Sequence, residues 1–154
     1  MACQENGIVV GVDGSSASIA ALRWAIARAR VERCPVTAVE VRSPEHYLPG
    51  TSYMLAPYGT APPAQRRTRR LDATVAAVTA TEPGSPAVTQ IDVEGAPEIE
   101  LVRIASNGTM LVLGHNPHGR LVEALLGRVA SGCLRRATRP VVLVPVDQSV
   151  HESC

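Results

Sequence analysis

Two glycine-containing loops hold the residues of this sequence that are best suited to ligand chemistry. The first spans residues 11–15 (GVDGS), in which Asp13 is the one ionisable side chain. The second spans residues 114–119 (GHNPHG). Glycines let a ligand approach the backbone closely, and a carboxylate accepts hydrogen bonds from a ribose hydroxyl or an adenine edge. Asp13 is equally suited to capping a turn or a helix, so both interpretations stay open.

Both loops follow strands in a chain that alternates between strands and helices. Short apolar runs predict strands at 7–12, 36–41, 87–93, 109–113 and 140–146. Helical patterns predict helices after Ser15 or Ser16, at 64–81, at 96–106 and near 128–138. This order predicts an open, doubly wound, Rossmann-like α/β sheet with helices on both faces. Ligands bind such sheets beyond the carboxyl ends of the strands, where the two loops lie.

One stretch departs from this alternation. Residues 43–63 are rich in proline and tyrosine and lack periodicity, which is typical of a functional lid or of a tolerated surface insertion. We expect a single domain over 1–154, with its core at about 7–146 and a tail at 147–154.

The composition excludes several chemistries. All fifteen basic residues are arginine, so neither a Schiff base nor a P-loop lysine is available. A formal net charge of +1 gives no broad electrostatic reason to expect nucleic acid or an anionic membrane as a partner. No nucleophile elbow, CxxC pair or tuned acid–base pair stands out, and we expect a protein that is not an enzyme. His115 and His118 lack carboxylate or thiolate partners nearby, so no metal site is predicted.

Short apolar runs and an N-terminus without a secretory pattern predict a cytoplasmic protein. The cysteines at 3, 34, 133 and 154 lie far apart, and we expect reduced thiols, with Cys34 and Cys133 in packing positions. Four arginines open the helix at 64–81, namely Arg66, Arg67, Arg69 and Arg70. Their predicted place is a solvated face, and a patch for RNA or an acidic partner is the alternative.

Three segments, at 8–29, 93–105 and 111–145, resemble the universal stress protein family, particularly its single-domain actinobacterial type. The resemblance implies an adenine nucleotide alpha hydrolase-like fold with five parallel strands in the order 3-2-1-4-5. It also implies a stress-response or regulatory function, a homodimer through the last strand, and a protein partner that the sequence does not identify. The family has an ATP-binding branch and a branch that binds no ATP.

The ATP-binding branch carries a loop of the form Gly-x2-Gly-x9-Gly-Ser/Thr. Gly114 and Gly127 match its first and last glycines, whereas Pro117 and Arg128 stand at the second glycine and at the Ser/Thr position. Proline removes an N–H donor. Arg128 replaces a small hydroxyl with a long cation that either clamps a phosphate or fills the cavity.

By the same resemblance, Asp13 contacts adenosine, Val41 lies near the base and Gly95 lies beside the ribose. An ATP or AMP molecule would then be lined by Gly11, Val12, Asp13, Val41, Gly95, Gly114, His115, Gly119, Gly127, Arg128 and Val129. Two alternatives remain: a dimeric scaffold that binds no nucleotide, and a slow ATPase of the same superfamily.

The last strand, 140–146, generates a prediction about assembly. In the implied strand order it lies at a sheet edge, and a long apolar edge aggregates unless it is paired. Antiparallel pairing with a second copy across a two-fold axis would cover it. We expect light scattering at micromolar concentration to give twice the monomer mass of 16.2 kDa. A monomeric mass would contradict the prediction.

Overall fold

The computed structural model describes residues 5–43, 63–116 and 127–146, with the backbone alone for 63–69. Its five strands are β1 (Ile8–Gly11), β2 (Val36–Arg42), β3 (Val88–Glu94), β4 (Met110–His115) and β5 (Val141–Pro145). Its four helices are α1 (Ser16–Glu32), α2 (Pro63–Thr81), α3 (Pro97–Ala105) and α4 (Gly127–Arg136).

The strands form one parallel sheet in the order β3-β2-β1-β4-β5, which confirms the expected fold. Strand β1 lies at its centre and pairs with β2 on one side and with β4 on the other. Strands β3 and β5 form the two edges. The order of the strands reverses at β1, which is where such sheets open a crevice.

Both faces of the central strands are buried, as their near-continuous apolar sequences require. Successive side chains of a strand point to opposite faces. Ile8 and Val10 pack with Leu22 of α1 and Leu71 of α2, whereas Val9 packs with Leu101 of α3. Helices α1 and α2 therefore cover one face of the sheet, and α3 and α4 cover the other.

Helix α1 begins and ends close to the predicted positions. The Oγ of Ser15 accepts a hydrogen bond from the N–H of Ser18 at 3.2 Å, so Ser15 is the N-cap. After Glu32, Arg33 adopts a left-handed conformation with φ of 55°, and the chain leaves the helix.

Other boundaries differ from the predictions by one or two residues. Helix α4 ends at Arg136 rather than at 138 because Pro140 disfavours helical geometry just before it. Strand β4 continues to His115 rather than ending at 113, which places Gly114 inside the strand. Most of the predicted 43–63 loop and the 147–154 tail lie outside the described residues.

Cys34 and Cys133 are buried thiols, as predicted, while Cys3 and Cys154 lie outside the described residues. Burial, reinforced by the negative charge of Glu98, raises the pKa of Cys133 to about 11. None of the helices in the described ranges is both long and apolar enough to cross a bilayer.

Gly114 brings the first turn of α1 against the end of β4. A Cβ atom at position 114 would collide with the backbone of Ala17 and would lie 2.7 Å from the nitrogen of Ser18. The backbone of Gly114 does not have a positive φ, so its requirement for glycine is steric. Gly114 thus fixes the distance between helix α1 and the carboxyl end of β4.

We expect Gly114→Ala to lower the free energy of unfolding by roughly 2–3 kcal/mol, because the new methyl group would clash with the backbone of α1, which is packed in place and cannot move aside. The control is Gly84→Ala, at a glycine with φ of +73° and open space around it. Torsional strain alone should cost about 1 kcal/mol there. Urea unfolding of both variants measures the difference, and equal losses would contradict the steric explanation.

Candidate functional site

A cleft of about 490 Å³ opens at the carboxyl ends of β1, β2 and β4. Gly11 of β1, Gly114 of β4 and the first turn of α4 line it. This volume falls within the range of small-molecule sites in proteins. The cleft lies where the order of the strands reverses, as the doubly wound topology predicts.

One wall of the cleft is apolar and comes from three elements. Val39 and Val41 come from β2, Leu101 from α3 and Leu113 from β4. Gly11 keeps this part of the cleft open, since a Cβ atom there would lie 2.9 Å from Cδ2 of Leu113.

Asp13 lies at the rim of the cleft and organises the turn before α1. Its Oδ1 accepts a hydrogen bond from the N–H of Ser15 at 2.9 Å, and its own N–H donates to the Oγ of Ser18 at 3.3 Å. Ser18 Oγ donates in turn to the carbonyl oxygen of Ser15 at 2.9 Å. Both interpretations of Asp13 therefore hold together: the residue shapes its turn, and it also lines the cleft.

The Asp13 carboxyl group is held in its charged form. Its partial burial alone would raise the pKa, but hydrogen bonds from Ser15 and Ser18 and the positive charge of Arg70 outweigh that effect. The net result is a pKa below the ordinary aspartate value. At neutral pH, Asp13 is thus a fixed acceptor for hydroxyl or amine groups of a ligand.

The first turn of α4 supplies the positive end of the site. Gly127, Arg128 and Val129 line the cleft, and Gly127 has φ of +73°, a conformation that favours glycine. A helix N-terminus carries unpaired N–H groups and a partial positive charge, which suit an anion. Arg128 is exposed and adds a full positive charge at the same place. The cleft keeps its volume with Arg128 in its wall, so this side chain does not fill it.

Most of the predicted site residues come together in this cleft. Those that line it are Gly11, Val12, Asp13, Val41, Gly114, His115, Gly127, Arg128 and Val129. Gly119 lies outside the described residues. Gly95 is not among the described lining residues. It has φ of +154°, and its N–H donates a hydrogen bond to the carbonyl oxygen of Arg42 at 2.9 Å. A Cβ atom at this position would also collide with the side chain of Glu100. Local backbone geometry explains this glycine, and its place beside a ribose stays a prediction.

Nine lining residues of the cleft were not predicted from the sequence. The additional residues are Ser15, Ala17, Ser18, Val39, Pro97, Leu101, Leu113, Asn116 and Ala130. Two signals could have found some of them. Val39 lies two residues before Val41 and so shares its face of β2, and Leu101 lies one helical turn after Pro97.

Within the described ranges, no group of three or more histidine, cysteine, aspartate or glutamate residues is placed to hold a metal ion.

The sequence of this chain matches a known protein family. The model of the universal stress protein family matches residues 6–145. The chain belongs to the universal stress protein family. Universal stress protein Rv2623 of Mycobacterium tuberculosis is 35% identical over 147 residues, which cover 94% of this chain and 49% of that protein. The chain thus spans about half the length of the curated relatives it matches.

Solved structures of the family share the fold at lower identity. A universal stress protein in complex with cAMP aligns with a TM-score of 0.59 and 22% identity over 95% of this chain and 100% of that one. The universal stress protein of Archaeoglobus fulgidus in complex with dAMP aligns with a TM-score of 0.59 and 21% identity, over 90% of this chain and 96% of that one.

We expect Asp13→Asn to destabilise the protein near neutral pH, because the amide keeps the shape of the turn but loses the negative charge. A carboxyl group whose folded pKa is depressed stabilises the fold above its unfolded pKa of about 3.9, and this contribution is lost as pH falls through the lower folded value. The difference between wild type and variant should therefore be largest above pH 5 and should shrink below pH 4.

Urea unfolding between pH 3 and pH 7 measures this dependence. Asp72→Asn, at an exposed position of α2, serves as the control for the loss of one negative charge. A stability difference for Asp13→Asn that does not vary with pH would contradict a role for the charge.

Proposed function

We propose that this member of the universal stress protein family is a regulatory protein that binds an adenine nucleotide in the cleft between β1 and β4. One observation carries the proposal: an apolar wall, the Asp13 carboxylate and the first turn of α4 with Arg128 converge on the same cavity of about 490 Å³. These are the three environments that a base, a ribose and a phosphate require.

The base and the ribose would lie towards β2. Val39, Val41 and Leu101 offer the apolar surface for the adenine ring. Asp13 is charged at neutral pH and accepts hydrogen bonds, so it would bind ribose hydroxyls or the adenine amine. The Asp13 turn is fixed by hydrogen bonds within the protein itself, which lowers the entropic cost of binding.

The phosphate would lie at the first turn of α4. Arg128 supplies charge-assisted hydrogen bonds in place of the serine or threonine of the ATP-binding motif. A cation at a helix N-terminus is unfavourable with the helix dipole, and a bound anion removes that penalty. The open volume beside Arg128 supports this role over that of a side chain that fills the cavity of a nucleotide-free scaffold.

The solved relatives are consistent with this proposal. Two universal stress proteins with the same fold hold cAMP and dAMP, which both combine an adenine base with a single phosphate group. AMP is therefore the first ligand to test, with ATP beside it.

A regulatory role fits the cleft better than catalysis does. Among its described lining residues, the ionisable side chains are Asp13, His115 and Arg128, and Asp13 is engaged with Ser15. We propose that nucleotide occupancy changes contacts with a protein partner, and that the protein acts as a homodimer. Strand β5 supports the dimer, because it lies at the edge of the sheet with its valines half-buried.

Isothermal titration calorimetry with AMP and ATP tests the proposal. We expect Arg128→Ala to weaken AMP binding roughly tenfold, through the loss of a charge-assisted hydrogen bond. Asp13→Ala should weaken it at least as much. Arg135→Ala is the matched control, since Arg135 is an exposed arginine in the last turn of the same helix and does not line the cleft.

Absence of binding by either nucleotide at millimolar concentration would refute the proposed function. Unchanged affinity in Arg128→Ala would refute the phosphate role of Arg128 alone.

A further inference from the structure

Glu40 is a carboxylate in the middle of an apolar strand. It lies in β2, is 3% exposed, and shares its face of the strand with Val36 and Ala38, which pack in the core beneath α1 and α2. A buried carboxylate strongly destabilises a protein unless a cation and hydrogen bonds compensate it. Its partner is Arg70 of α2, which donates a hydrogen bond from its guanidinium group to Oε1 of Glu40.

Arg70 reaches beyond this ion pair to the loop that carries Asp13. A Cβ atom at Gly14 would lie 3.3 Å from both Cδ and Nε of Arg70, so the arginine side chain rests directly against the Gly14 backbone. Gly14 has φ of +84° and also requires glycine for its conformation. Helix α2 therefore contacts the β1–α1 turn through a side chain that is anchored elsewhere.

The charge of Arg70 also acts on Asp13. Arg70 is the charged residue that helps to lower the pKa of the Asp13 carboxyl group, beside the hydrogen bonds from Ser15 and Ser18. Arg70 is not among the residues that line the cleft, so its action on a ligand would pass through the Asp13–Gly14 turn. The sequence predicted a solvated position for Arg70. The side chain is indeed 49% exposed, and in addition its guanidinium group pairs with a buried carboxylate.

We propose that Arg70 is a positioning residue of the nucleotide cleft: buried Glu40 fixes its guanidinium group, and Arg70 fixes the turn that presents Asp13 to the ligand. The ligand-binding part of this inference rests on the proposed function, whereas the ordering of the turn does not. Helix α2 thereby becomes mechanically linked to the cleft, although it contributes no described side chain to the lining.

The chain offers a closely matched control. Arg30 of α1 pairs with Glu82, just after α2, at 3.4 Å, and the side chain of Arg30 is 41% exposed. This second ion pair connects α1 with the segment just after α2, whereas the pair of Arg70 connects α2 with β2. It lies at the C-terminal ends of α1 and α2, away from the cleft. Arg30→Gln removes the same charge from a similar environment.

Amide hydrogen exchange tests the ordering of the turn without any nucleotide. We expect Arg70→Gln to accelerate exchange at the N–H groups of Ser15 and Ser18 about tenfold more than it accelerates exchange in β1, which reports the loss of global stability. Arg30→Gln should leave Ser15 and Ser18 unaffected. Because Arg70→Gln leaves Glu40 buried without its cation, the double variant Glu40→Gln with Arg70→Gln provides a neutral pair, and it should show the same acceleration.

AMP affinity tests whether Arg70 acts through Asp13. We expect Arg70→Gln to weaken binding roughly threefold to tenfold in the wild-type background and not at all in the Asp13→Ala background, which is the signature of coupled residues. Arg70→Lys should restore part of the affinity, because it keeps the charge but not the planar fork.

Two results would overturn the inference: exchange at Ser15 and Ser18 that accelerates no more than exchange in β1, or an equal loss of affinity in both backgrounds. If the wild type binds no nucleotide, the proposed function fails, and hydrogen exchange still decides whether Arg70 orders the turn.

Discussion

Strand β1 is hydrogen-bonded on both sides and buried on both faces, and these two constraints determine the arrangement of the other elements. Its backbone pairs with a parallel strand on each side, and Ile8, Val9 and Val10 are closed off from water on both faces. Parallel neighbours are reached through crossovers, so one pair of helices must cover each face. The chain leaves β1 towards α1 on one face and leaves β4 towards α4 on the other, which opens a crevice between these two strands. The cleft is therefore a consequence of burying this strand.

The glycines around the cleft show how packing and ligand binding share residues. Gly114 is required because α1 approaches β4 too closely for any side chain, and Gly11 leaves space beside Leu113. Both glycines are required by contacts with other protein atoms, independently of any ligand in the cleft. Glycines of the ATP-binding motif can thus be required by helix packing as well as by a ligand. Proline replaces one motif glycine at position 117, but the packing around Gly114 still requires glycine there.

The sequence predicted the elements well, because strands such as Val141–Pro145 are short apolar runs bounded by clear breaks. The order of the strands came from the family resemblance, since periodicity carries no information about which strands are neighbours. The pairing of Glu40 with Arg70 could not be predicted. The two residues lie thirty positions apart, and an acidic residue in an apolar strand gives no indication of its partner. Gly95 was assigned to the site by resemblance, whereas its backbone N–H forms a hydrogen bond with the carbonyl oxygen of Arg42 on the neighbouring strand β2.

The position of Pro145 determines what the edge of the sheet offers to other chains. The carbonyl oxygen of Pro140 and the N–H of Val146 both form hydrogen bonds with β4. Because the backbone groups of successive residues in a strand point in opposite directions, the N–H and C=O groups of the even-numbered residues of β5 point towards β4, and those of the odd-numbered residues point outwards. Proline has no N–H, and at 145 its absence costs the sheet nothing. Within Val141–Pro145 the outward donors are then the N–H groups of Val141 and Leu143. Such an edge offers backbone hydrogen bonds to a short strand, and the missing donor at 145 limits how long a strand can pair with it.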